Sequence, residues 1–563
     1  MRRLKRRTWR NSCLSLLLGM AVPFGTFTAA LLGQHYTAAP AICANKISFW
    51  FSPFGEFTIP IADLAKFAKD GTVSDYLSFY LDPLSPEQKA QFREFLNQRY
   101  PISHVTVSQF TYSPIGQILV KRLGAFLKTD DNQNGFYALR AAFILSAADP
   151  DGLTPINVMK KFPVTTIKLD LPLGLEAYSQ LALLLGKKDA AIAAIQLEAE
   201  KEALTNSSIP TAIPDLRQVG QLKWQVRNFS VPQPERGVKI PAQIYLPIYP
   251  SQDKTSLAPV IVISHGLASN PDTFAYLSQH LASHGFAVAV LEHPTTGSKD
   301  FKAYLSGFHS APNPKEFVYR PLDIKFLLDE LERQTKSDPT LRIDPQQVGV
   351  IGQSLGGYTV LLLSGAEFNF EQIQSTCAQP EPNVRSFNAS QILQCRVADL
   401  PPANYNLRDR RIKAVLAVNP LANTLFGKQG MRQVQIPIMI VASGDDLLTP
   451  AIPEQMFPFT WLTAPIKYLA VVKGGTHFSF LASGEGGVLT VPQTLIGADP
   501  NLSQPYLKAL SLAFFKTYLA NQMEFRPYLS ATYVKTISNP TVPISLVTAF
   551  SEENLLQAIE KSP

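Results

Sequence analysis

Short runs of β-branched and aliphatic residues recur along the last two thirds of the chain, bounded by turn formers and separated by stretches whose apolar positions lie three and four apart. The runs at 223–231, 239–247, 259–263, 286–292, 348–351, 414–418, 436–441 and 466–472 predict eight strands. Between them, Asp272 to His284 and Leu322 to Gln334 have helical spacing, and Gln504 to Tyr518 predicts a last helix. Strands alternating with helices predict a mostly parallel sheet covered on both faces. Upstream the period changes. An aromatic stretch, Ile47 to Ile59, predicts a short hairpin, and helices are expected at 61–69, 74–80, 85–100, 115–128, 136–148 and 175–204. The third of these has a marked start, with Ser85 as N-cap, Pro86 in the first turn and Gln88 closing a capping box.

These patterns divide the chain into a leader at 1–44, a helical N-terminal domain at 45–205, a linker at 206–220 and an α/β domain at 221–563. Insertions at 295–320 and 365–411 interrupt the last of these. Loops of that length are usually lids or disorder, and their place near the active edge of the sheet favours substrate-covering loops; Phe301, Tyr304, Phe308, Phe368 and Phe370 are candidates to line an acyl pocket, the alternative being that they anchor the loops. The tail beyond Phe525 carries no informative pattern.

Composition adds to this picture at the N-terminus. Six of the 51 basic residues fall in Met1 to Arg10 and are followed by the mostly apolar Cys13 to Leu32, the two parts of an export signal. Cleavage is expected after Ala44 or Ala41; retention of 13–32 as a membrane anchor is the alternative. Without the leader, 45 basic residues face 44 acidic ones, so the net charge of +7 gives no argument for nucleic-acid binding. Of the four cysteines, Cys377 and Cys395 lie close together in a Pro- and Asn-rich stretch, and export predicts a disulfide between them. No pair has zinc-ligand spacing, so no metal site is expected.

The chemistry centres on Gly352-Gln353-Ser354-Leu355-Gly356, set between the strand Val348–Ile351 and a helical stretch from Tyr358. A serine at such a sharp strand-to-helix turn is held in a strained backbone, with its hydroxyl clear and a helix N-terminus beside it. Glycines on either side avoid the collisions that a Cβ would cause. Ser354 is therefore the candidate nucleophile. It needs a base, and the base needs an orienting acid. Later strand ends supply both: Asp445 and Asp446 follow 436–441, and His477 follows 466–472 behind two glycines. The backbone N–H groups of Leu267, after the strand ending in Ser264-His265-Gly266, and of Leu355 are the candidate oxyanion donors.

The segments Ser264-His265-Gly266-Leu267, Leu281-Ala282-Ser283-His284-Gly285-Phe286 and Leu291-Glu292-His293 resemble platelet-activating-factor acetylhydrolases and related dienelactone-hydrolase-like enzymes. The N-terminal third resembles a helical domain of unknown function found ahead of such hydrolases in cyanobacteria. The resemblance implies an α/β-hydrolase fold with an eight-stranded, mostly parallel sheet. In this family's turn the acid lies four residues before a proline, which points to Asp446 over Asp445. It also implies an exported serine esterase, without cofactor, acting on carboxylic esters such as short acyl chains of phospholipids, with membrane-surface contact. A broader lipase, polyester hydrolase or peptidase is the rival within enzymes, and a non-catalytic lipid- or protein-binding module the rival outside them.

Overall fold

The computed structural model describes residues 43–205, 214–250, 257–378, 388–482 and 496–561. The leader up to residue 42, part of the linker and part of the second insertion lie outside them. The chain folds as two compact units, Met1–Glu176 and Ala177–Pro563.

In the first unit, strands β1 (Lys46–Phe51) and β2 (Gly55–Pro60) form the hairpin predicted by the aromatic stretch. It is followed by helices α1 (Ile61–Asp70), α2 (Asp75–Leu81), α3 (Pro86–Asn97), α4 (His104–Tyr112) and α5 (Pro114–Phe126), strand β3 (Leu127–Lys128), helices α6 (Phe136–Ala148) and α7 (Pro155–Lys161), and strand β4 (Thr166–Leu169). The capping box on α3 is formed as the sequence predicts, with Ser85 Oγ accepting from the Gln88 N–H and the Gln88 side chain accepting from the Ser85 N–H. The unit is not purely helical. Its strands make a four-stranded sheet, β2-β1-β4-β3, with β4 running parallel to β1. Strands of two and four residues are too short to display a period of two, which is why helical spacing alone was legible there. A core of Ile47, Leu64, Phe67, Leu139 and Ile167 joins this sheet to the helices.

Helix α8 (Leu171–Thr205) runs into the second unit. Among the described residues that unit holds nine strands: β5 (Lys223–Gln233), β6 (Val238–Ile248), β7 (Ala258–Ser264), β8 (Ala287–Leu291), β9 (Ile343–Gln353), β10 (Ile412–Val418), β11 (Ile438–Ser443), β12 (Lys467–Val472) and β13 (Ile544–Val547). Their order is β13-β12-β11-β10-β9-β7-β8-β6-β5. From β12 to β8 all pairings are parallel; β5, β6 and β13 join antiparallel at the edges. The expected eight strands are thus one short. The ninth, β13, is a four-residue edge strand in the tail, and its pairing with β12 is a long-range event that no local pattern announces.

Side-chain alternation along the central strands sorts the core into two layers. In β10, Val415 and Ala417 face one layer while Ala414, Leu416 and Val418 face the other. Helices α9 (Ala275–Ser283) and α10 (Ser298–Leu305) follow β7 and β8; α11 (Glu316–Ser337) and α12 (Leu355–Leu363) flank β9. Leu327 and Leu331 of α11 and Leu361 of α12 bury into the first layer, whereas α9 and the helix Gln504–Tyr518 bury into the second.

Both insertions carry helices. The first includes α10 and the start of α11, and the second includes Phe370–Cys377 and Ala389–Gln394. A disulfide joins Cys377 to Cys395, as the sequence predicts. Among the described residues no helix is long and apolar enough to cross a membrane; the alternative anchor at 13–32 lies outside them.

Candidate active site

The chain leaves β7 in one direction across the sheet to β8, and leaves β9 in the other to β10, β11 and β12. Ligands of open α/β sheets bind at such a switch, beyond the carboxyl ends of the strands. Ser354 follows β9, the 265–268 loop follows β7, Asp446 follows β11 and His477 follows β12.

Ser354 has φ 56° and ψ −117°, a left-handed conformation that a non-glycine residue adopts only when its surroundings enforce it. The enforcement is close packing. A Cβ on Gly352 would stand 2.1 Å from the Gly356 carbonyl oxygen, and one on Gly356 would stand 1.9 Å from that of Ser264. These two glycines let the turn fold onto itself and onto the end of β7. Gly266 lies beside the serine, since a Cβ there would be 3.4 Å from Ser354 Cβ. Among the described residues, neither the Leu267 nor the Leu355 N–H has a hydrogen-bond acceptor.

Asp446 Oδ2 lies 2.6 Å from His477 Nδ1. The carboxylate also accepts from the N–H groups of Leu448 and Thr449, each at 2.8 Å, and from the Thr449 hydroxyl at 2.8 Å. Four donors fix it, and it is 3% exposed. Asp445 points elsewhere, pairing with Lys188 of α8. The neighbouring aspartates are thereby separated into a buried partner of the histidine and a half-exposed partner of a lysine.

Ser354 and His477 are both buried at the same sheet edge, yet no hydrogen bond joins Ser354 Oγ to His477 Nε2. That nitrogen instead lies 3.2 Å from the side-chain amide nitrogen of Gln353, which also donates to the His477 carbonyl at 3.3 Å. The tautomer that donates from Nδ1 to Asp446 leaves Nε2 as the accepting nitrogen. Contacts of this kind commonly tighten only when substrate is bound.

Sequence reasoning missed Gln353, Thr449 and Lys188, whose roles are visible only once distant strand ends meet. It also missed a buried polar cluster beneath the 265–268 loop. A readable signal existed there, since Glu316, Arg320 and Asp323 form a charged stripe along the otherwise apolar face of α11. Phe301 packs on Tyr304 and Phe308 is exposed, while Phe368, Phe370 and Tyr405 line a cavity of about 340 Å³ that Ser354, Asp446 and His477 do not line. Among the described residues, no group of three or more His, Cys, Asp or Glu side chains is placed to hold a metal ion.

Residues 43–170 match a family described as "Alpha/beta hydrolase of unknown function (DUF1400)", and residues 236–316 match "Platelet-activating factor acetylhydrolase, isoform II". The first match falls in the small unit and the second spans β7, β8 and the 265–268 loop; neither includes Ser354, Asp446 or His477. No curated protein matches the chain. With the nine-stranded sheet, these two matches identify the fold as that of the α/β-hydrolases and support an ester hydrolase.

Proposed function

We propose that the protein is an exported serine esterase that cleaves short acyl chains from phospholipids or related lipid esters. Ser354 Oγ attacks the ester carbonyl as His477 Nε2 takes its proton, and Asp446 holds the imidazole and balances the imidazolium. The Leu267 and Leu355 N–H groups receive the oxyanion. His477 then gives the proton to the leaving alcohol, and water activated by the same nitrogen frees the acid from Ser354.

One observation carries this reading: a strained, glycine-flanked serine stands beside two unengaged backbone donors, at the same sheet edge as a buried histidine–aspartate pair. The match of 236–316 to an acetylhydrolase family supports the substrate class. The Cys377–Cys395 bond and the leader-like sequence support export.

The test is hydrolysis of p-nitrophenyl acetate, butyrate, octanoate and palmitate and of a phosphatidylcholine with a short second chain. Turnover confined to short chains and lost in Ser354→Ala is the expected result. Turnover weighted to long chains would replace it with a lipase, and no turnover by folded protein would reject the esterase.

A further inference from the structure

A second serine–histidine–aspartate series lies next to the first. Ser264 Oγ is 3.0 Å from His293 Nε2, and His293 Nδ1 is 2.9 Å from Asp323 Oδ2. All three are at most 1% exposed, which excludes a substrate from Ser264. Its environment also differs from that of Ser354, because the Ser264 hydroxyl accepts from Arg320 Nη2 at 3.3 Å.

Arg320, wholly buried on α11, is the centre of this cluster. Its Nη2 donates to the carbonyl of His265 and its Nη1 to Thr296 Oγ1 at 2.7 Å. It therefore grips the loop after β7 and the loop after β8 at once. The same two loops are zipped by their backbones, with Ala268 N–H donating to Thr296 O and Ser298 N–H to Ser269 O, both at 2.8 Å. The His265 ring joins them again, accepting the His293 N–H at 3.0 Å and donating to Gly266 O at 2.7 Å. Ala268 and Thr295 are held at φ 57° and 61°, strain that persists only where the surroundings over-determine the backbone.

Charge balances within the cluster. Arg236 chelates Glu316 at 2.8 and 2.7 Å and reaches Asp323 at 3.3 Å, so two guanidiniums face two carboxylates. Burial drives His265 and His293 neutral and pushes Arg320 down to about 10, still cationic at neutral pH. Buried ion clusters of this kind are commonly no more stabilising than apolar side chains of the same volume. Their effect is on where the backbone lies.

We propose that Arg320 is a positioning residue for the oxyanion site, fixing the 265–268 loop through the His265 carbonyl and Thr296 so that the Leu267 N–H points at the space beside Ser354. The inference rests on the esterase reading. A donor displaced by about an ångström loses most of its effect on the transition state while leaving ground-state binding nearly intact.

Arg320→Lys keeps the charge but loses the fork, and Thr296→Val removes one contact without touching a charge. Both are compared with wild type in kcat, KM and affinity for a trifluoromethyl ketone, whose adduct with Ser354 places an oxyanion in the site. Expected is a fall in kcat of about tenfold to hundredfold for Arg320→Lys and severalfold for Thr296→Val, with KM within about twofold. Ketone affinity falls by the same factors, and the acid limb of the pH profile stays in place because His477 is untouched. Ser264→Ala should still take a fluorophosphonate label on Ser354. Folded variants with wild-type kcat and ketone affinity, or with KM raised alone, would overturn the proposal; if Arg320→Lys does not fold, Thr296→Val decides. An inactive, unlabelled wild type would instead mean that the esterase reading itself has failed.

Discussion

At the scale of single residues, the neighbours Asp446 and Asp445 have different partners, the first His477 and the second Lys188. Asp446→Asn removes the carboxylate that holds Nδ1–H of His477, and kcat is expected to fall by about 10⁴. Asp445→Asn breaks only a half-exposed contact with Lys188, and less than about tenfold should be lost. Steady-state kinetics on one short ester measures both; equal losses would mean that the two aspartates are misassigned. Strand and turn are local signals and narrowed the acid to this pair, and the proline four residues on, through the family resemblance, pointed to Asp446. It could not show that Thr449 and the Leu448 N–H close around one carboxylate, since which side chain turns inward is decided by packing against β12.

At the scale of elements, the strands at the switch were legible because their β-branched runs are buried on both faces and need no partner to be recognised. The edge strand β13 and the strands β3 and β4 of the small unit were not, being short and defined by what they pair with. The turn after β9 joins both kinds of information. Gly356→Ala sets a Cβ against the Ser264 carbonyl, a backbone group that cannot rotate away, and should destabilise the protein by about 1–3 kcal/mol, read as a lower midpoint of urea unfolding. Helix α9 carries a different liability. Burial holds His280 down to about 3, helped by the nearby His284 and Lys508 cations, against 6.5 for an unperturbed imidazole. The unfolded chain thus binds the extra proton between those values, so stability should fall as pH drops from about 6.5 towards 3. The slope from this group reaches up to about 1.4 kcal/mol per pH unit. His280→Leu should flatten that part of the urea-midpoint profile; an unchanged slope would show that His280 titrates normally.

At the scale of the whole molecule, the disulfide closes a stretch of the second insertion and limits the unfolded chain. Cys377→Ser with Cys395→Ser should cost about 3 kcal/mol in unfolding free energy, and reduction of the wild type should cost the same. Neither should change KM if the insertion only braces the sheet; a selective rise for longer acyl chains would make it a chain-length filter. One serine of this molecule, Ser354, is expected to be activated. The most direct measurement is mass-spectrometric mapping of the folded protein after reaction with a fluorophosphonate. A single adduct on Ser354, absent from Ser354→Ala and greatly slowed in Asp446→Asn, is the predicted result. Folded protein that takes no adduct, or takes it on another serine such as Ser264, would contradict the account.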